Sequence, residues 1–369
     1  MTFTSTIRKE NMLEEYFPEF LVERPADQRF WVVRASGGTF VRHFRNSGLV
    51  AIGHVNDLTI AKGPIPDGFV KKLAAALRVA KPDRTTLSIS SHVNQVKTFC
   101  HEIKENDLIV TVDSQNLMIG RVSGDAYIDD TAVVITDVYG KQDAMEHNLR
   151  RPISWGPILS RKSVPTALEM TLLAHQTVFS LDRHWDAVYH LIYPCFVFEG
   201  RLYLSANIKQ TESLDNYSIT QFFALLSGVE SVAKNLQYEK DDVNEYLPSV
   251  SSLRHGGDLN LTSKAAFMSP GTIWSSVLLD APQLVTAVVI YIMLFGGDLK
   301  FFKTDGILDI QTRRKMWDRV MKLKKSHDFD HVKEKLKVEI PNYDTTAIET
   351  PSETLKRKKR GKGKVVLGE

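Results

Sequence analysis

Apolar residues change their spacing several times along the chain. Short β-rich runs come first: Phe30 to Ala35 (FWVVRA), ended by Ser36-Gly37-Gly38, and Leu49 to Gly53 (LVAIG) after Gly48. Two helical patterns follow. Phe69, Val70, Leu73, Ala76 and Leu77 recur at helical spacing behind Pro66-Asp67, with Asp67 the expected cap. Val93, Val96, Phe99, Cys100 and Ile103 make a second stripe, capped by Ser90 or Ser91. The period then returns to strands at residues 108–112, 117–122 and 133–138, with residues 113–116 reading as a hairpin connection. An extended stretch from Leu149 to Trp155 stops at Gly156-Pro157. This order predicts a small α+β unit between about residues 29 and 157, a curled sheet carrying two helices.

The second half alternates again. A helical stretch from Val164 leads through Thr177-Val178-Phe179 to two strands, 193–198 and 202–208, joined at Glu199-Gly200. A helix is expected over about 220–236, a loop over 239–245, and a charged amphipathic helix over 310–325. The most apolar window, 273–297, is continuous only from Leu284 to Phe295 and is broken upstream by Asp280 and Pro282. Twelve apolar residues are too few for a membrane span, which needs about 20, so a buried core helix stopped by Gly296-Gly297 is expected. No repeat is evident. The domain expectation is a leader (1–28), a first domain (29–157), a second α+β domain (158–342) and a disordered basic tail (343–369).

Charge sharpens that last boundary. The chain of 369 residues carries 47 Lys/Arg and 44 Asp/Glu. Seven of the basic residues fall in 355–369, so the body is slightly acidic while the tail (Lys356, Arg357, Lys358, Lys359, Arg360, Lys362, Lys364) is strongly basic. Such a run supplies salt-dependent, sequence-independent attraction to nucleic acid or an anionic surface. Cys100 and Cys195 are too far apart in sequence for a disulfide framework or a zinc site of cysteine pairs. The first ten residues are polar, so no secretory signal is expected and the cytoplasm is the default compartment.

Known catalytic signatures are missing. There is no phosphate-binding glycine loop, dinucleotide fingerprint, His-Glu-x-x-His pair or Gly-x-Ser-x-Gly elbow. A metal nuclease of the Asp…Glu-x-Lys type needs an acid two positions before the strand lysine, and Asn207 stands there before Lys209. His147-Asn148 is an isolated dipeptide. No catalytic residue, metal or cofactor is therefore expected.

The segments FWVVRASGG, GLVAIGH and FCHEIKENDLIVTVDSQNLMIGRVSGDAYIDD, taken in order, resemble the EVE and EVE-like domains of the PUA-like superfamily over residues 30–155. Trp31 matches the family's early tryptophan, and Asp107 and Ile119-Gly120 match its later signature. Asp113-Ser114 falls where the family often has a polar turn. His54 stands after an Ile-Gly pair where the family commonly has tryptophan. The resemblance implies an N-terminal PUA-like small β-barrel with helices; the pattern of the remaining residues predicts a mixed α/β C-terminal domain behind it. It further implies a pocket for a nucleobase, often modified, and a setting in prokaryotic anti-phage defence.

A base pocket needs flat faces and polar groups for the base edge. Trp31, Phe40, His54, Phe99 and Trp155 are the candidate faces, and Arg34, Ser36, Asp113, Ser114 and Arg151 the candidate hydrogen-bonding groups. Each also has a structural reading: Trp31 and Phe99 as core, the arginines as solvated, Gly37-Gly38 as a plain turn. The leading expectation is a reader of a nucleobase in nucleic acid or as a free nucleotide. It would signal through the second domain to an effector partner or to its own oligomer. A membrane-acting effector using 273–297 and a nuclease with an unrecognised site are the alternatives.

Overall fold

The computed structural model describes residues 21–235, 259–266, 270–296 and 310–349. They form two units. Of the described residues, one comprises Asp27–Val188 with residues 343–349; the other comprises those of Tyr189–Asn342 with residues 21–26. The first strand, β1 (Val22–Glu23), belongs to the latter, C-terminal unit.

The N-terminal unit opens with β2 (Phe30–Val33), buried on both faces as an unalternating FWVV run requires. Helix α1 (Val41–Ser47), ended by Gly48 at φ 60°, precedes β3 (Leu49–Ile52) and the two-residue β4 (Gly63–Pro64). Helices α2 (Phe69–Ala80) and α3 (Thr86–Lys97) follow. Their starts differ from expectation. Gly68 in the left-handed region precedes α2, not an Asp67 cap, and Thr85 caps α3 by accepting from the Ser88 N–H. A π-helical turn over Thr98–Glu102 then leads to β5 (Leu108–Val112), which lies parallel to β2. β6 (Asn116–Val122), β7 (Tyr127–Ile128), the hairpin β8 (Val133–Thr136) with β9 (Gln142–Met145), and the long β10 (Leu149–Ser160) complete the expected strands.

Strand β10 makes the sheet curl. Its first half pairs with β3 and β7 and its second half with β6, with a register shift between Trp155 and Ile158. Gly156-Pro157, expected as a stop, is instead this irregularity, and the strand runs on to Ser160. After α4 (Thr166–Leu172), β11 (Val178–Ser180) adds itself antiparallel to β2. The unit therefore extends past residue 157, because β2 would otherwise be an exposed edge. The eight strands run β11-β2-β5-β6-β10-β7-β4, with β3 also on β10. The class is α+β, with a curled sheet flanked by helices.

The C-terminal end of the described chain also departs from expectation. Residues 343–349 are ordered on the N-terminal unit, with Ile348 only 2% exposed. A Cβ added to Gly156 would lie 2.7 Å from Ile348 Cγ2, so the bare glycine makes room for this contact. The basic residues 356–364 lie outside the described residues.

Helix α5 (Trp185–Ile192) begins in the N-terminal unit and ends in the C-terminal one, where β12 (Cys195–Phe198) and β13 (Arg201–Ile208) follow, turned at Glu199-Gly200 as expected. Helix α6 (Asn216–Asn235) begins four residues before the expected Thr220, because Asp215 accepts the Ser218 N–H at 2.7 Å. The expected loop over 239–245 lies outside the described residues. The window 273–297 divides in two: β15 (Gly271–Leu278), paired with β14 (Thr262–Ala266), and α7 (Ala281–Phe295). The split occurs at the polar break, where Asp280 forms a capping box with Gln283 around Pro282. Helix α7 is a core element, with Leu284, Val288, Tyr291 and Leu294 buried. Helices α8 (Ile310–Ser326) and α9 (Phe329–Leu336) pack against α6 and α7, and β16 (Val338–Glu339) closes on β13. Among the described residues, no helix is long and apolar enough to cross a membrane.

Two buried polar side chains in this unit, Glu230 and His190, are paired. Glu230 accepts the Asn260 and Leu261 N–H groups at 2.7 and 2.8 Å and binds Lys234 at 2.6 Å. His190, buried and stacked 4.8 Å from Trp274, shares a 2.8 Å hydrogen bond with the Ser205 hydroxyl. Burial, then the nearby Lys264 charge, lowers its pKa to about 3.

Candidate functional site

Four segments of the N-terminal unit bring aromatic and polar side chains to one place. The turn after β2 brings Ser36 and Phe40, the end of β3 brings His54, α3 brings His92 and Gln95, and the segment after β9 brings His147. His54 and His92 meet edge to face with ring centroids 4.6 Å apart, and Phe40 meets His147 the same way at 5.1 Å. Ser36 Oγ lies 2.9 Å from His147 Nε2. Gly53 permits the close approach of strand and ring, since a Cβ there would sit 2.7 Å from His147 Nδ1.

The turn that holds Ser36 is itself unusual. Ser36, Gly37 and Gly38 all have positive φ (48°, 69° and 103°). Glycine is the residue suited to this backbone, and at Gly38 an added Cβ would lie 2.9 Å from Asp113 Cα. Gly38 thus lets the β2 turn pack directly on the β5–β6 hairpin.

Electrostatics keep the imidazoles neutral. Burial chiefly, then the His92, His147 and Lys81 charges, lower the His54 pKa to about 4, while a side-chain hydrogen bond with Gln95 pulls the other way. His92 is lowered by burial and by Arg84 and Lys81; His147 by burial and Arg150. Arg84 reaches the His92 ring at 2.8 Å, and Lys81 is ion-paired with Asp57. The cluster therefore has uncharged ring nitrogens inside and cations at its edge. Nε2 of His54 is buried without a hydrogen-bond partner. An orphaned buried polar atom costs about 1–3 kcal/mol unless something satisfies it.

Most of the other expected site residues have structural duties. Trp31 is 1% exposed, with Nε1 donating to Asp107 Oδ2 at 2.8 Å under the Arg29 guanidinium. Asp107 also accepts the Arg29 and Lys104 N–H groups. Phe99 is fully buried. Arg151, also fully buried, donates to the carbonyls of Gly124, Phe99 and Cys100, filling the polar gap that the π-helical turn leaves. Trp155 donates to the Phe44 carbonyl at 2.8 Å and lays its ring over Gly120. Arg34 donates to the Leu172 carbonyl. Asp113 accepts the Gln115 and Asn116 N–H groups at the hairpin turn, and Ser114 stands exposed at its tip. Of the ten expected residues, Ser36, Phe40 and His54 come together.

Gln95, His92 and Arg84 were not foreseen, and His147 was noted only as an isolated dipeptide. Gln95 is positioned by tertiary structure, since its Oε1 accepts the Thr177 and Val178 N–H groups at the start of β11. Among the described residues, no group of three or more His, Cys, Asp or Glu side chains is arranged to hold a metal ion. No family model, no curated protein and no solved structure matches the chain.

Proposed function

We propose that the N-terminal unit binds a nucleobase at the His54–His92–His147 cluster, as part of a reader of modified nucleic acid or nucleotide. The observation that carries this reading is the unpartnered His54 Nε2 among neutral rings. A planar heterocycle with edge donors and acceptors suits such a setting, because it offers a partner to the orphan nitrogen and faces for Phe40 and the imidazoles. Lys81 and Arg84 at the edge suit the attached phosphate. The EVE-like resemblance supports the same reading, although its signature residues Trp31, Asp107 and Gly120 act in the scaffold. The C-terminal unit would transmit or scaffold the event.

The test is binding of the full chain to oligonucleotides bearing unmodified or 5-methylated cytosine, at two salt concentrations. The full chain is required because β11 and residues 343–349 belong to the unit. Selective binding that survives the higher salt, weakened about tenfold or more by His54→Ala with little change in melting temperature, is expected. Equal affinity in the parent and the His54→Ala variant removes the cluster from the site.

A further inference from the structure

The outer face of α8 is the second place where chemistry gathers. Residues 314–337 carry nine Lys/Arg against four Asp/Glu, although residues 1–354 as a whole are slightly acidic. On α8 the apolar stripe, Met316, Val320 and Leu323, is buried in the core of the C-terminal unit. The opposite side presents Arg314, Lys315, Lys322 and Lys325, all exposed, with one acid, Asp318, exposed among them. Between these cations stand Trp317 and Met321, 45% and 47% exposed and one turn apart.

From Arg314 to Lys325 the helix advances about 16 Å at 1.5 Å per residue, room for several consecutive phosphates. We infer that this face grips the phosphodiester backbone of a nucleic acid, with Trp317 and Met321 against sugar or base edges. A lipid surface fits less well. An interfacial helix inserts its apolar stripe, and here that stripe is already spent on the protein's own core. The inference is independent of base recognition in the N-terminal unit: it concerns affinity, not sequence.

The experiment compares the full chain with an Arg314→Glu/Lys322→Glu/Lys325→Glu variant on a fluorescent 30-base-pair duplex DNA across a salt series. The substitutions are exposed, so the melting temperature should hold. Affinity is expected to fall about tenfold or more, equally for modified and unmodified duplexes. The slope of log K against log salt should become shallower by about 3, following the roughly 0.9 counterions released per phosphate contact. The basic tail is present in both proteins and cancels. Unchanged affinity and slope overturn the inference. So does a parent protein whose α8-dependent binding is as tight to phosphatidylserine vesicles or to poly-glutamate as to DNA. His54→Ala should leave the salt slope intact, so loss of base selectivity and loss of backbone grip are read separately.

Discussion

His54 combines a buried, unpartnered nitrogen with a pKa pushed down to about 4. In the unfolded chain an imidazole titrates near 6.5. Between those values the unfolded state binds the proton and the folded state does not, so stability falls as pH drops through this window. His190, at about 3, adds to the loss in the same direction. Urea unfolding at pH 7.5 and 5 should therefore give a lower midpoint at the acid end, and His190→Gln should flatten the difference. Ligand affinity, by contrast, should be level between pH 6 and 8 as far as His54 decides it, because that ring stays neutral there. Gly120 gives a second residue-scale prediction. A Cβ there would lie 2.6 Å from Trp155 Cε3, so Gly120→Ala should cost about 2–3 kcal/mol in chemical denaturation.

Elements were legible where pattern and local chemistry agree. β2, β3, β5 and β6 stood out because their apolar runs are bounded by Gly, Asn or Asp, and β10 showed only as an extended stretch. Helix α7 was foreseen as a core helix because its apolar run is too short to span a bilayer, and the Asp280 break became its cap. Helix α1 was not foreseen: VRHFRNS is seven residues with no repeating apolar stripe, and the left-handed Gly48 cap defines its end. β9 (QDAM) lacks strand formers and exists because Asp137 Oδ1 accepts the Tyr139 and Lys141 N–H groups, closing the β8–β9 turn. Asp280→Ala should lower stability by about 1 kcal/mol in thermal or urea unfolding. An unchanged midpoint would mean that the capping box contributes nothing.

At the scale of the molecule, long-range returns decided what sequence order concealed. The N-terminal unit is completed by β11 and by residues 343–349, which lie far from its first strands in the chain. Ile348 seats where Gly156 lacks a side chain, so Ile348→Ala should destabilise that unit by about 2–4 kcal/mol. Hydrogen exchange would show the loss at β10 and β6 while β13 and β15 keep their protection. The candidate site was only partly legible for the same reason. Ser36, Phe40 and His54 follow strands that can be read directly. His92, Gln95 and His147 arrive from a helix and a hairpin whose placement depends on tertiary packing.

The most direct measurement is an imidazole nitrogen NMR titration of the full chain with 5-methyl-deoxycytidine monophosphate at pH 7. The account predicts a neutral His54 whose Nε2 resonance shifts as the ligand fills its missing hydrogen bond, with smaller shifts at His92 and His147. The same resonances unmoved by a saturating ligand, or a His54 already protonated at neutral pH, would contradict it.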